Sequence, residues 1–219
     1  MTERWVRERR ADAYWKKAKR EGYRSRAAYK LKQMQARYGL FRRGSLVVDL
    51  GAAPGGWSQA ALEIVGEKGA VIGVDLEKIR KLPPARFLVG DMTKKETLDE
   101  VRETLAEVRG SARGADAVVS DMSPNISGMY SVDQAKSVRL ATKALGAARV
   151  LLRPGGNLCV KVFEGEDFAR LLADVRRSFG FVKVHSPEAS RSKSSEVYIV
   201  AKGFRPSGRD KRARNDEEE

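Results

Sequence analysis

Short apolar runs alternate with longer amphipathic stretches along most of the chain after Ser45. The runs are rich in valine and mostly lack the polar positions of a half-exposed strand, so we expect parallel strands covered on both faces by helices. This alternation predicts an α/β fold with a doubly wound sheet. The predicted strands lie at 46–50, 70–75, 86–91, 115–121, 157–163, 181–185 and 197–203.

Helices are expected between most of these strands, where apolar residues recur every three or four positions. The predicted spans are 93–109, 131–152 and 166–179, and Ser131 with Gln134 can cap the second of them. The last two strands are joined by a loop without a helical pattern. The final strand is therefore predicted to run antiparallel, as the hairpin partner of the strand before it.

The first part of the chain has a different pattern. "SRAAYKLKQMQARYG", at 25–39, has helical spacing and ends in a glycine, and an earlier helix is predicted within 4–20. The end of the chain is polar, lacks periodicity and finishes in an acidic run. We therefore predict a basic helical extension packed on the body, a main domain and a disordered charged tail, at 1–43, 44–204 and 205–219.

The distribution of charge suggests a binding partner for the N-terminal extension. The net charge is +14, and residues 1–43 hold 15 Lys and Arg against four acidic residues, whereas the remaining 176 residues carry only +3. Such a basic segment predicts a face that binds RNA, and aromatic rings within it can stack on unpaired bases. The alternatives are that the rings pack the segment onto the body and that the charge only aids solubility. The rings are Trp5, Tyr14, Trp15, Tyr23 and Tyr29.

Composition excludes several other classes of protein. No apolar run reaches the length of a membrane helix, and the N-terminus has no apolar segment typical of a secretory signal. Cys159 is the one cysteine and lies in an apolar run, so we expect it to be a small buried hydrophobe. Without a Cys or His cluster, no metal site is predicted. We expect a cytoplasmic protein, and a monomer.

The stretch "VVDLGAAPGGWSQ", at 47–59, joins a strand to a helix through a glycine loop. In an open α/β sheet, ligands bind beyond the carboxyl ends of the strands. The glycine spacing matches neither a dinucleotide fingerprint nor a P-loop. Predicted strands end in an acid at this edge, and such carboxylates would repel pyrophosphate. These acids are Asp49, Asp75, Asp91 and Asp121.

The acids suit a positively charged ligand with hydroxyl and amino groups, and S-adenosylmethionine (SAM) has these properties. Asp75, about one β-α-β step beyond the loop, is placed to accept both ribose hydroxyls, and Asp91 to accept from the adenine amine. The glycines let the backbone approach the ligand closely. The N-terminus of the following helix can receive the carboxylate of the ligand.

The chain resembles the FtsJ-type family of ribosomal RNA large-subunit 2′-O-ribose methyltransferases. The resemblance runs from about Arg24 to Gly203 and is carried by "SRAAYKL", "VVDLGAAPGGWSQ", "GVDL", "GDMT", "SDMSPNISG", "VKVF" and "SSEVYIVAKGF". It implies a seven-stranded Rossmann-like methyltransferase fold, SAM as cofactor, and a uridine in the RNA of the assembled large subunit as target. It also implies a SAM site at Gly55, Trp57, Asp75, Asp91 and Asp121, and a catalytic tetrad of Lys30, Asp121, Lys161 and Glu196.

The tetrad suits the chemistry of this reaction. A ribose 2′-hydroxyl is a poor nucleophile, so methyl transfer depends on positioning and gains from a base. Lys161 lies inside the apolar run "LCVKVF", where a lysine is costly unless it has partners. It acts either as the base or as a positive charge that guides the 2′-oxygen, and the sequence leaves both open. His185, the only histidine, lies outside the matched motifs, so we interpret it as structural.

Three other functions compete with ribosomal RNA methylation. Close relatives of the family methylate the tRNA anticodon loop, and the sequence has no added RNA-binding domain that would decide between the two RNAs. A non-catalytic RNA-binding factor in ribosome assembly is a second alternative, and the intact tetrad argues against it. A nicotinamide dehydrogenase is disfavoured by the spacing of the glycines.

Overall fold

The structure is a computed structural model that describes residues 13–110, 113–190 and 195–206 of the 219-residue chain. The described residues form one seven-stranded sheet with helices on both faces. The helices are α1 (Ala13–Arg20), α2 (Ala28–Tyr38), α3 (Gly56–Val65), α4 (Lys95–Arg109), α5 (Tyr130–Leu151) and α6 (Phe168–Ser178). The strands are β1 (Leu46–Leu50), β2 (Ala70–Asp75), β3 (Arg86–Val89), β4 (Ala115–Ser120), β5 (Leu152–Phe163), β6 (Phe179–His185) and β7 (Glu196–Phe204).

The strand order is β3-β2-β1-β4-β5-β7-β6. Only β7 runs against the other six, because it pairs antiparallel with both β5 and β6 while the remaining pairs are parallel. The predicted doubly wound α/β sheet with an antiparallel last strand is therefore confirmed. The chain reverses its direction of winding between β1 and β4, and such a switch point opens a crevice at the carboxyl ends of the strands.

The strand β5 is longer at its start than its pattern predicts. It begins at Leu152, because Leu152 pairs with Ala115 before a register shift, and regular pairing with β4 resumes at Asn157. The Pro-Gly-Gly segment between these two pairs reads as a turn in the sequence. An irregularity in the ladder thus lets a turn-like segment lie inside a strand.

Alternate residues of the buried strands enter two separate cores. In β1, Val48 and its two apolar neighbours at alternate positions pack on the side of α4, α5 and α6, whereas Val47 packs on the side of α2 and α3. This is the period-two geometry of a strand covered on both faces. The α2 residues Ala28, Leu31 and Met34 are fully buried in the second core. The basic helix α2 is thus part of the layer that covers the sheet.

The helix α1 lies against α2 through a small aromatic cluster. Ala18 and Tyr29 are buried together with Ala189, which precedes β7. The ring of Tyr29 contacts Tyr14 at 5.6 Å and Tyr23 at 5.3 Å between centroids. Three of the rings predicted to stack on bases or to pack the segment on the body therefore pack on one another.

Other expectations fall at the ends of the chain. Trp15 is half-buried, with Lys19 over its ring, whereas Trp5 and the first part of the predicted helix at 4–20 lie outside the described residues. The predicted disordered tail lies almost entirely within 207–219, also outside them. Cys159 is buried, as expected. Among the described residues, no helix has the length and apolar character needed to cross a membrane.

Candidate active site

A cleft with a volume of about 580 Å³ opens at the carboxyl ends of β1 to β4. Its walls are the segments that follow these strands, together with one face of α5. Asp75, Asp91 and Asp121, each predicted to bind the cofactor, line this cleft. The switch point between β1 and β4 thus produces a crevice in which three carboxylates face one space.

Backbone amides hold two of these carboxylates in place. The two oxygens of Asp75 accept hydrogen bonds from the amides of Ala53, at 2.8 Å, and Glu77, at 3.0 Å. The carboxylate of Asp91 accepts one from the amide of Thr93 at 2.9 Å. Hydrogen bonds from Thr93 lower the pKa of Asp91, so this group is an ionised acceptor at neutral pH. Fixed acceptors of this kind suit the hydroxyls of a ribose and the amine of an adenine.

The glycine loop brings backbone to the floor of the cleft. Gly51 has a φ of +70°, and a β-carbon there would overlap the side chain of Met122, which follows β4. Only glycine combines this conformation with this close approach. The helix α3 begins at Gly56, and the backbone amide of Ser58 in its first turn is hydrogen-bonded to the buried carboxylate of Asp49. The start of α3 thus already has an acidic partner within the protein.

Gly55 and Trp57, also predicted to bind the cofactor, lie behind the loop and are not among the residues that line the cleft. A β-carbon on Gly55 would lie 2.8 Å from a guanidinium nitrogen of Arg24. The indole of Trp57 is buried, donates a hydrogen bond to the carbonyl of Ala27 at 2.9 Å and stacks on Tyr198. In this structure both residues shape the loop through packing.

The fourth acid of the predicted edge, Asp49, lies beneath the cleft. It is fully buried and accepts a hydrogen bond from the hydroxyl of Ser58 at 2.7 Å. Burial, together with the nearby charge of Asp121, raises the pKa of Asp49 to about 7 against the lowering effect of Ser58. Asp49 therefore ties β1 to α3 below the loop, and it is not among the residues that line the cleft.

Lys161 and Asp121 form a pair at the edge of the cleft. The amine of Lys161 donates to the backbone carbonyl of Asp121 at 2.6 Å and lies 3.1 Å from its carboxylate. Lys161 is only 6% exposed although it carries an amine. Burying an amine in an apolar strand costs free energy unless it has partners, and Lys161 finds two oxygen atoms just after the end of β4.

Lys30 and Glu196 form a second pair beside the first. The amine of Lys30, on α2, is buried and makes a hydrogen-bonded ion pair with the carboxylate of Glu196, at the start of β7. Burial alone would raise the pKa of Glu196, but the charges of Lys30 and Lys161 hold it below its usual value. The carboxylate is therefore ionised at neutral pH.

Strand register explains how these residues meet. Lys161 lies opposite Tyr198 in the β5–β7 ladder, and Glu196 is two residues before Tyr198, so all three lie on the face of the sheet covered by α2. The amine of Lys30 lies 5.8 Å from the centre of the Tyr198 ring. The structure thus brings the four tetrad candidates to one face, although Lys30 and Glu196 are 166 positions apart in the chain.

Tyr198 is a site residue that sequence reasoning missed. Its hydroxyl donates a hydrogen bond to the carboxylate of Asp121 at 2.6 Å, and its ring stacks on Trp57 at 5.7 Å between centroids. Burial, then the charges of Asp121 and Glu196, raise the pKa of Tyr198 well above its usual value, so the phenol stays protonated. It lies in the quoted motif "SSEVYIVAKGF", where a tyrosine reads as an ordinary core residue.

His185 lies away from this site. It ends β6 and its ring packs edge-on against Tyr38 at 5.4 Å between centroids. Burial and the charge of Arg37 lower the pKa of His185. The described residues contain no cluster of histidine, cysteine and acidic side chains with the composition of a metal site.

The doubly wound sheet, the glycine loop and the acid-lined cleft define a Rossmann-like methyltransferase that uses SAM. The particular family follows from comparison with known proteins. Residues 23–204 match the family model of the FtsJ-like methyltransferases, and the chain belongs to this family. Its cofactor is therefore SAM, which supplies an activated methyl group when it is bound, and the protein is an RNA methyltransferase.

Named relatives support the same assignment. A ribosomal RNA large subunit methyltransferase E from Halorubrum lacusprofundi is 52% identical over 195 residues, which cover 88% of this chain and 71% of that protein. The protein of the same name from Methanobrevibacter smithii is 45% identical over 208 residues, or 94% and 96% of the two chains. A Plasmodium falciparum protein named as a ribosomal RNA methyltransferase has a crystal structure with a TM-score of 0.73, at 26% identity over 84% of this chain and 100% of its own.

Proposed function

We propose that the protein transfers a methyl group from SAM to the ribose 2′-oxygen of a uridine in the RNA of the large ribosomal subunit. The observation that carries this proposal is the double pair Lys161–Asp121 and Lys30–Glu196, in which Asp121 also lines the acid-lined cleft. The names of the relatives support the ribosomal target. The assembled large subunit is the proposed substrate, and the enzyme acts as a cytoplasmic monomer.

The reaction requires a weak nucleophile to be positioned beside the methyl group. In this proposal the ribose hydroxyl lies at Lys161, which Asp121 holds through two contacts. A fixed amine at this point orients the 2′-oxygen and stabilises the negative charge that develops on it as its proton passes to solvent. Tyr198 donates a hydrogen bond to Asp121 and thereby fixes the carboxylate that holds the lysine.

The remaining site residues have distinct proposed roles. Asp75 accepts from the ribose hydroxyls of the cofactor and Asp91 from its adenine amine, as their fixed carboxylates suggest. Gly55 and Trp57 contribute backbone at the start of α3. Glu196 holds the amine of Lys30 in an ion pair beside the reacting centre.

The proposal is tested by two parallel incubations of the purified protein with radiolabelled SAM. One contains large ribosomal subunits and the other contains tRNA. We expect label in large-subunit RNA at one uridine. The labelled linkage should resist alkaline hydrolysis, because alkaline cleavage of RNA requires a free 2′-hydroxyl. Label in the tRNA anticodon loop alone would replace the proposed substrate. Absence of label in both RNAs would reject the activity.

A further inference from the structure

Exposed apolar side chains are concentrated beside the active site. Six large hydrophobic residues among those that the structure describes are exposed, and three of them fall between 126 and 130. Ile126 and Met129 are each 64% exposed and Tyr130 is 62% exposed. A concentration of this kind on a small surface is typical of a binding site. We call these three residues the apolar patch.

The segment that carries the apolar patch is held in place from below. The buried carboxylate of Asp133 accepts hydrogen bonds from the amide and the hydroxyl of Ser127, at 2.8 and 2.7 Å, and from the amide of Gly128 at 3.1 Å. Hydrogen bonds from Ser127 lower the pKa of Asp133, so the anchor is ionised at neutral pH. A surface that is ordered before binding loses less entropy when it binds a partner.

The apolar patch lies next to the reacting centre. The first turns of α5 pack on the end of β5, because Gln134 donates to the carbonyl of Glu164 and Ser137 accepts from the amide of Phe163 at 3.0 Å. Tyr130 is one helical turn before Gln134 and so lies on the same side of α5. Phe163 is two residues after Lys161 in β5. The first turns of α5, which begin at Tyr130, therefore lie near the strand end that carries the lysine.

The charge on α5, the helix that begins at Tyr130, favours a polyanion. Between Asp133 and its C-terminus, α5 contains basic residues and no acidic ones. Lys136, Arg139 and Lys143 recur at intervals of three and four residues and so lie on one side of the helix. Lys143 itself lines the cleft. Phosphates of a nucleic acid fit this row, whereas an apolar protein partner would gain little from it.

We propose that Tyr130, with Ile126 and Met129, is a stacking platform for an unpaired base of the substrate RNA next to the methylated nucleotide. The inference rests on the proposed function, because it takes RNA as the substrate. An exposed tyrosine offers its flat face to a base, and the two aliphatic side chains extend the apolar surface around it. The row on α5 lies on a different side of the helix from Tyr130, with Lys143 in the cleft, so it is placed to meet phosphates farther along the same strand.

Equilibrium binding tests the platform without requiring catalysis. The probe is a fluorescently labelled single-stranded RNA of 12 uridines, titrated with the full chain in the presence of SAM. Tyr130→Ala should weaken RNA binding about tenfold, whereas Tyr130→Phe should restore it, since stacking requires the ring and not the hydroxyl. The affinity for SAM, measured by calorimetry, should be the same in all three proteins.

Phe181→Ala is the matched control, because Phe181 is an exposed aromatic residue on β6 and lies away from the cleft. It should leave RNA affinity unchanged. Unchanged affinity in Tyr130→Ala would overturn the platform and point to a protein partner instead. Equal losses in Tyr130→Ala and Tyr130→Phe, or in Tyr130→Ala and Phe181→Ala, would also overturn it.

Crosslinking locates the contact directly. RNA carrying 5-iodouridine, irradiated in complex with the protein and mapped by mass spectrometry, should crosslink within residues 126–130. Crosslinks only elsewhere would contradict the proposal. If the wild-type protein fails to methylate large-subunit RNA but still requires the Tyr130 ring for RNA binding, the proposed function fails while the RNA interface stands.

Discussion

The same residue type has different roles at this site because its surroundings differ. Asp91 is held by backbone amides and its pKa is lowered, whereas Asp49 is sealed beneath the loop and its pKa is raised to about 7. Asp49 lies near the end of β1 and Asp91 follows β3, so both are at the same edge of the sheet. Hydrogen bonds favour the charged form and burial disfavours it, so position relative to the cleft decides which acid can bind a ligand.

Because Asp49 is buried, the difference in stability between Asp49→Asn and the wild type should depend on pH. The pKa of Asp49 in the folded state lies above its ordinary value of 3.8, so between these values the folded protein holds a proton that the unfolded chain has lost. The stability of the wild type therefore falls as pH rises through this window, by about 1.4 kcal/mol per pH unit. The asparagine variant lacks this titration and can still accept from Ser58.

The measurement is the difference in melting temperature between Asp49→Asn and the wild type, without SAM, from pH 4 to pH 8. The melting temperature of the variant should rise relative to that of the wild type up to about pH 7, and the difference should then stay constant. Glu67→Gln, which changes an exposed carboxyl, serves as the control. A difference that does not vary with pH would show that the Asp49 carboxyl is already charged in the folded protein at low pH.

Prediction of the site residues from the sequence depended on motifs. Lys161 stood out because a lysine in an apolar strand needs partners, and a partner is found in Asp121. Tyr198 gave no such signal, since a tyrosine in a strand normally packs in the core. Its role depends on its register opposite Lys161, which is set by the pairing of β5 with β7. A single sequence does not display that pairing.

At the scale of elements, the insertion of β7 between β5 and β6 builds the catalytic face. It places Glu196 and Tyr198 beside Lys161, and α2 then covers this face and contributes Lys30. A β7 at the outer edge of the sheet would leave β5 paired with β6 and separate these groups. The antiparallel strand thus has a direct consequence for the chemistry.

The glycine loop should be sensitive to one added methyl group. Gly51→Ala should lower the free energy of unfolding by more than Gly110→Ala and should weaken SAM binding, because its β-carbon would overlap Met122 at the floor of the cleft. The two glycines have nearly the same φ, +70° and +69°, but a β-carbon at Gly110 meets open space. Gly110→Ala therefore measures conformational strain alone, about 1 kcal/mol.

Urea unfolding and SAM titration of both variants provide the measurement. The excess loss in Gly51→Ala over Gly110→Ala is the cost of crowding the loop against β4. Equal losses, with SAM affinity intact in both, would show that Met122 moves freely and that the loop does not require a close approach at this point.

Helix ends were predicted less well than helices. The span 131–152 matches α5 closely, but Ser131 and Gln134 do not form the expected cap. Asp133 binds the preceding loop, and Gln134 reaches Glu164 at the end of β5. Tertiary contacts thus compete with local capping, and the sequence pattern contains only the local option.

At the scale of the whole molecule, positive and negative charges lie on neighbouring surfaces. The basic helices α1 and α2 and the basic row on α5 contrast with the acids that surround the cofactor cleft. A polyanion and a cationic cofactor are thereby attracted to neighbouring surfaces of opposite sign. Valine-rich runs and helical spacing predicted the layers and the antiparallel last strand, but the order of the strands depends on long-range pairing.

The charge on α1 should appear as salt dependence of RNA binding. Replacing four exposed basic residues by glutamine, at Lys16, Lys17, Lys19 and Arg20, should reduce the slope of log affinity against log salt by about 1 to 3, because fewer counterions are released. SAM affinity should not change. Lys68→Gln, before β2 and therefore at the opposite edge of the sheet, should leave the slope as in the wild type. An unchanged slope in the fourfold variant would assign α1 a packing role only.

The most direct test of the catalytic centre compares Lys161→Ala with Lys68→Ala in methyl transfer to large ribosomal subunits and in SAM binding. Lys161→Ala should reduce the transfer rate at least about 100-fold, because it removes the amine that Asp121 holds at the reacting centre, while SAM affinity is retained. Lys68→Ala should match the wild type in both measurements. Transfer by Lys161→Ala at the wild-type rate would contradict the assignment of this lysine, and with it the proposed catalytic site.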